Sequence, residues 1–212
     1  LGDGCVTDVF HKARGRRYPV FRLNTIDLDF AEATKEALMA FTEYSVSLHT
    51  HAVSKSSKPN HSIRCGDPHI CEALRSETDR KAKLPEWIFT ADKETRLALI
   101  AGLMDSEGFV VVKEGRGQAH MGFKSTDVWF DDFLRLLQSV GIVHGKIGVE
   151  KPRKPGYRTP RRVTIKMRSW IDAGAYFRIA RKQERVERWA KMPYLHVPRN
   201  LRDYMLGEPV TA

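Results

Sequence analysis

Cysteine is scarce in this chain, with Cys5, Cys65 and Cys71 the only three among 212 residues. An odd number without a Cys-x-x-Cys pair argues against a disulfide scaffold and points to a reducing compartment. Long apolar runs are also missing, as is a signal-peptide pattern at the start, so the sequence reads as soluble and intracellular, with organelle, nucleoid and phage-infected cell all left open. No glycine-rich phosphate cradle and no Ser/His/Asp nucleophile pattern stands out. Acid is the minority charge: 26 Asp+Glu against 36 Lys+Arg leave a net charge of +10. That balance suits a polyanionic partner, either nucleic acid or an anionic membrane surface. The length fits one large domain or two small ones and allows a real core.

What the chain does contain is a repeat. "LGDGCV" (1–6) and "DSEGFV" (105–110) share an acid, a glycine and a valine in the same order. "TIDLDFAEATKEAL" (25–38) resembles "STDVWFDDFLRLL" (125–137), and "AKLP" (82–85) returns as "AKMP" (190–193). Three echoes in one order imply a duplicated unit, with residues 1–91 as the first copy and 92–212 as the second. Periodicity predicts a hairpin over 5–26, a helix over 28–43 and a second hairpin over 45–66. The second copy reads as strands over 109–114 and 118–124, a helix over 126–140 closed by Gly141, strands over 143–150 and 161–168, and further helix from 169. The expected fold is α+β, two pseudo-symmetric αββαββα repeats with antiparallel sheets.

Alternation assigns faces to these strands. Ala119, Met121 and Phe123 oppose Gln118, His120 and Lys124; Val163, Ile165 and Met167 oppose Arg162, Thr164 and Lys166. Val46 and Leu48 oppose Ser47, His49 and His51, while Ile63 and Cys65 oppose Ser62 and Arg64, and Phe21 and Leu23 oppose Arg22 and Asn24. One sheet face is predicted to be core and the other polar and basic, with Lys146 added from strand 143–150. An ordinary solvated face would mix signs, and this one is short of acids. Such a ribbon fits the DNA major groove, where Arg and Lys read guanine and Asn and Gln read adenine.

Hairpin loops add a second basic layer: Arg14, Arg16 and Arg17 in "HKARGRR", Arg116 in "KEGRG", and Arg153, Lys154, Arg158, Arg161 and Arg162 in "KPRKPGYRTPRR". Solvated charge runs are the plain alternative for each loop. As phosphate contacts they would supply affinity without sequence choice.

The segment 95–107, "TRLALIAGLMDSE", is predicted to be a mostly apolar helix with small residues at Ala98, Ala101 and Gly102. Glycine inside a helix costs about 1 kcal/mol relative to alanine, so Gly102 suggests close packing of a second helix. The natural partner is the other copy, of which "LGDG" remains. If the two helices pack side by side, Asp3 and Glu107 meet at two C-terminal ends where the macrodipoles already place negative charge. A hard divalent ion with oxygen ligands, Mg²⁺ foremost, relieves that arrangement. Paired acids beneath a basic saddle suggest metal-assisted phosphodiester hydrolysis.

At these residues the chain resembles the LAGLIDADG homing endonucleases. "IAGLMDSEG" (100–108) matches the family motif in all nine places with conservative changes, and "LGDG" matches its last four. The resemblance implies that Asp3 and Glu107 are the metal-binding catalytic acids, holding Mg²⁺, with Mn²⁺ or Ca²⁺ able to take the same site. It implies that the motif helices form the interface and the sheets straddle double-stranded DNA, which a monomer cuts across the minor groove of a long site, leaving short 3′ overhangs. Asp105 is then structural. A lysine near each centre is also implied: Lys83 and Lys191 are candidates, Lys166 and Arg64 their rivals, and a surface lysine the plain alternative for each.

Two other functions share this scaffold, an RNA maturase or splicing cofactor and a DNA-binding regulator that does not cut. Retention of both motif acids favours the nuclease, because a carboxylate facing phosphate is repulsive unless a cation intervenes. Repeat symmetry predicts roughly three further apolar helical turns before Leu1. The origin is expected to be a free-standing intron-encoded gene or the endonuclease domain of an intein. Trp129, Trp170 and Trp189 are expected in the core. His49, His51, His61, Cys65, His69 and Cys71 crowd one stretch, but their spacing lacks the close pairs of structural zinc sites.

Overall fold

A computed structural model describes residues 4–52, 58–79, 82–113, 118–126, 128–152, 155–156 and 158–192. In the first half, β1 (Cys5–His11) and β2 (Arg16–Thr25) form a hairpin, followed by α1 (Leu28–Met39), β3 (Val46–His51), β4 (Asn60–Cys65) and α2 (Pro68–Glu77). A 3-10 turn at Glu86–Phe89 leads into α3 (Lys93–Glu107), which carries the motif. The second half continues with β5 (Gly108–Lys113), β6 (Gln118–Ser125), α4 (Phe130–Ser139), β7 (His144–Val149), β8 (Arg161–Ile165), α5 (Met167–Asp172) and α6 (Ala180–Ala190).

Each half builds the same four-stranded antiparallel sheet, in the orders β1-β2-β4-β3 and β5-β6-β8-β7. The predicted alternation explains the register. Phe21 pairs with Cys65 and Leu23 with Ile63; Met121 pairs with Ile165 and Phe123 with Val163. Ile63, Cys65, Phe123 and Val163 are all fully buried. This is an α+β fold of two matching units.

Local chemistry sets the helix limits. Asp67 caps α2 by accepting from the His69 and Ile70 N–H groups, with Pro68 at the first helical position. Asp92 caps α3 by accepting from the Thr95 N–H at 2.7 Å. Several elements are shorter than predicted, among them α1, which stops at Met39 where the periodicity extends to residue 43. Helix α4 starts at Phe130, because Trp129 departs from helical geometry (φ −78°, ψ 11°) and is packed into the core. Strand β8 stops at Ile165, so Lys166 is the residue before α5 and not a strand position.

The larger core gathers Phe123, Trp129, Phe130, Phe133 and Trp170 under α3 and α4, and Trp189 joins it as expected. The smaller core contains Leu23, Phe30, Ala31, Val46, Ile63 and Cys65 from the first half, together with Ile179 from the second. The segment entering α6 therefore crosses the expected repeat boundary and closes the first core. Among the described residues no helix is long and apolar enough to cross a membrane.

Candidate nucleic-acid interface and acidic centre

Helix α3 runs into β5 without a loop, and glycine makes this possible. A Cβ at Gly108 would lie 2.4 Å from the Met104 carbonyl oxygen, closer than any side chain tolerates. The junction leaves Ser106 and Glu107 on the wall of a cavity of about 440 Å³, lined also by Phe109, Lys124, Ser125, Thr126, Arg158 and Pro160. Glu107 thus stands at a helix C-terminus, where the dipole is negative, on a cavity that two cationic side chains also line. Phe109 covers Gly122 in the neighbouring strand, where a Cβ would come within 2.7 Å of the ring.

Behind this turn lies Lys182, which is only 5% exposed. Its ammonium donates to the carbonyls of Met104 at 2.9 Å, Asp105 at 2.6 Å and Gly108 at 2.7 Å. One buried cation thereby satisfies the end of the motif helix and offsets its dipole. Sequence reasoning passed over it, although a signal was present: Lys182 occupies the helical stripe of Ile179, Val186 and Trp189 and interrupts an otherwise apolar face.

Asp105, expected to be structural, is 3% exposed and accepts from the Arg178 N–H at 3.1 Å and the Ile179 N–H at 3.3 Å. Burial pushes its carboxyl up to about 6, opposed by the N–H groups of Ile179 and Arg178. It ties α3 to the chain entering α6. The second motif helix was expected to pack at Gly102, yet a Cβ there meets nothing within 4 Å among the described residues. Asp3 lies outside the described residues, as do Arg116, Arg153, Lys154 and the side chains of Arg14 and Gln118.

The polar sheet faces carry cross-strand rows. Arg22 and Ser47 flank Arg64, Asn24 and His49 flank Ser62, and His51 pairs with Asn60. In the second sheet His120 pairs with Val111, Thr164 with Gly122, and Arg162 lies between Lys124 and Gly148. Arg64, Asn24, His49, His51 and His120 are exposed, and Thr164 is half-buried. Lys146 is exposed in the irregular stretch of β7 between His144 and Ile147. Ser62 departs from the expected exposure at 5%. Arg162 stacks over Phe109, its guanidinium carbon 4.8 Å from the ring centre.

Several expected contact residues lie elsewhere. Arg161 alternates to the helix side of β8, where Asp131 grips it through bonds of 2.8 and 2.6 Å and Phe130 lies beneath it at 4.4 Å. It is therefore part of the sheet-to-α4 packing and not of the polar face. Arg17 pairs with Phe10, and by alternation it points away from the polar row that Arg16 shares with His11. Lys83 is held by Glu86 at 3.1 Å, and Lys191 is exposed just past the end of α6. Neither they nor Lys166 and Arg64 line the Glu107 cavity, where the cations are Lys124 and Arg158. Lys124 and Arg158 were expected only as general DNA contacts; what alternation left out was the proximity of β6's end to the end of α3.

No protein-family model and no curated protein matches this sequence. Solved structures do match in fold. A mesophilic variant of the homing endonuclease I-DmoI superposes with a TM-score of 0.55 at 13% identity, over 81% of this chain and 82% of that one. An I-DmoI variant in complex with its target DNA in the presence of manganese gives 0.56 at 12% identity, over 84% and 91%. Another, with target DNA in the presence of magnesium, gives 0.51 at 11% identity, over 79% and 86%. The chain has the two-repeat LAGLIDADG fold that its motif predicts.

Proposed function

We propose that this chain is a site-specific double-strand DNA endonuclease that depends on a divalent cation, Mg²⁺ in the first instance. The observation that carries the reading is the place of Glu107: a carboxylate at the C-terminal end of the motif helix, on a cavity shared with Lys124 and Arg158, where a polar strand face ends. The donor set fits the ion, because Mg²⁺ retains several waters and takes one or two carboxylates together with phosphate oxygens. Glu107 would hold it, with Asp3 as the counterpart from the first repeat. When bound, such an ion supplies Lewis-acid activation of the phosphate and of the attacking water.

This chain's own residues do the rest. Arg22, Arg64, Asn24, His49, His51, His120 and Thr164 face the duplex grooves, and Arg16, Lys146 and Arg158 meet its backbone. Lys124 and Arg158 stand where they stabilise negative charge on the phosphate beside Glu107. Lys182 holds the turn that aims Glu107. The resemblance to the LAGLIDADG endonucleases implies that the cut falls across the minor groove and leaves short 3′ overhangs. The I-DmoI complexes with target DNA, in manganese or magnesium, support the same reading.

The deciding experiment is selection from a randomised duplex library, run in parallel with Mg²⁺ and Ca²⁺. Enrichment of one long site that is cut in Mg²⁺ supports the endonuclease. Enrichment without cutting in any divalent ion overturns it in favour of a DNA-binding regulator, and preference for structured RNA overturns it in favour of a maturase.

A further inference from the structure

Glu150 follows β7, and its N–H donates to the Pro160 carbonyl at 2.9 Å, next to Arg158 and Pro160 on the wall of the Glu107 cavity. Its carboxylate accepts a hydrogen bond from the Lys124 ammonium and lies 3.7 Å from the Arg162 guanidinium. Lys124 and Arg162 are register partners on adjacent strands of the polar face. One acid thus occupies two of that face's cations, directly beside the acidic centre.

Stability does not account for this arrangement. The side chains of Lys124, Arg162 and Glu150 remain 38%, 42% and 36% exposed. Ion pairs so open to water contribute little to folding, because the charges are well solvated either way and salt screens them. Their larger effect is on any incoming anion. A phosphate approaching Lys124 or Arg162 must displace a carboxylate already in place, and it forfeits the counterion release that an unoccupied cation would give.

We propose that Glu150 is a specificity-determining residue: an internal competitor that occupies Lys124 and Arg162 until a well-placed DNA phosphate displaces it, weakening attachment to duplexes of arbitrary sequence. The inference rests on the DNA-binding reading above. A backbone that lies in correct register gains enough from base contacts to complete the exchange. A misplaced backbone does not, so non-specific affinity falls more than specific affinity.

The test uses the full chain in EDTA and a duplex of scrambled sequence, with binding measured across a salt series. Glu150→Gln is expected to bind about tenfold more tightly at low salt, with a salt slope steeper by up to about 1.8, the share of two phosphates. In the double variant Lys124→Met/Glu150→Gln about half of that added slope should vanish. Thermal unfolding of Glu150→Gln should match the parent chain, which separates the effect from misfolding. If the parent binds duplex DNA and Glu150→Gln shows the same affinity and slope, the competitor role is wrong while the DNA-binding reading stands. If the parent binds no duplex at any salt concentration, both fall.

Discussion

Asp27 in the first repeat and Arg181 in the second are joined by two parallel hydrogen bonds, 2.6 Å from Nε to Oδ1 and 2.7 Å from Nη2 to Oδ2. Next to them the Asp29 carboxylate accepts from the Ala180 N–H at 2.6 Å. Two acids at the start of α1 therefore grip the start of α6, and the two halves are fastened at this point by charge as well as by the Ile179 side chain.

That fastening predicts a pH dependence. Arg181 beside Asp27 holds its carboxyl below the ordinary value of 3.8. Since the folded value lies below the unfolded one, the pair contributes stability at neutral pH, and the contribution is lost as pH falls from about 4 through the folded value. Urea midpoints between pH 7 and pH 3 should fall more steeply for the parent than for Asp27→Asn, which lacks the titrating group. At pH 7 the variant should be less stable by about 1 kcal/mol. Parallel curves for the two proteins would refute the assignment.

Lys182→Met should lower the unfolding free energy by about 3 kcal/mol, because the carbonyls of Met104, Asp105 and Gly108 at the α3–β5 turn lose the buried ammonium that donates to them. Equilibrium denaturation measures this directly. A loss below about 0.5 kcal/mol would mean that water replaces the ammonium, and the capping role would be withdrawn.

Two glycines of the motif, Gly102 inside α3 and Gly108 just past its end, should respond in opposite directions. Gly108→Ala drives a methyl group into the Met104 backbone and should cost about 3 kcal/mol or more. Gly102→Ala meets open space among the described residues and should raise stability by about 0.5 to 1 kcal/mol through helix propensity. Melting temperatures decide both. A destabilised Gly102→Ala would reveal a second helix seated against α3.

Glu107→Gln should retain duplex binding and lose cleavage in Mg²⁺ by at least about a thousandfold, since the amide is nearly isosteric and lacks the charge that holds a cation. Gel-shift and nicking assays on one preparation separate the two effects. Undiminished cutting would remove Glu107 from the centre.

Much of this architecture was legible in the sequence, and the residues show why. Strand faces follow from a period of two, so Phe123 and Val163 inward and His120 and Thr164 outward required no tertiary knowledge. The motif named Glu107 and the glycine after it. What escaped was anything decided by contact between distant segments. Lysine is solvent-seeking on average, and only the fold shows that three helix-end carbonyls make a buried place for Lys182. Arg161 and Arg162 are neighbours in one basic run, yet the pleat sends the first to Asp131 and the second to the polar face. The family resemblance implies Lys83 and Lys191 as basic partners of the acids, whereas Lys124 reaches the Glu107 cavity through strand register, which a motif match does not contain.

The position of Ile179 bears on how the chain is made. A ribosome completes the whole first sheet long before it releases the side chain that plugs the hollow beneath it. Until Ile179 emerges the early half carries an unfilled gap, so its consolidation waits for the late half. Premature termination upstream of Ile179 should yield an aggregation-prone fragment instead of a free-standing module, and the two copies, alike in plan, mature as one.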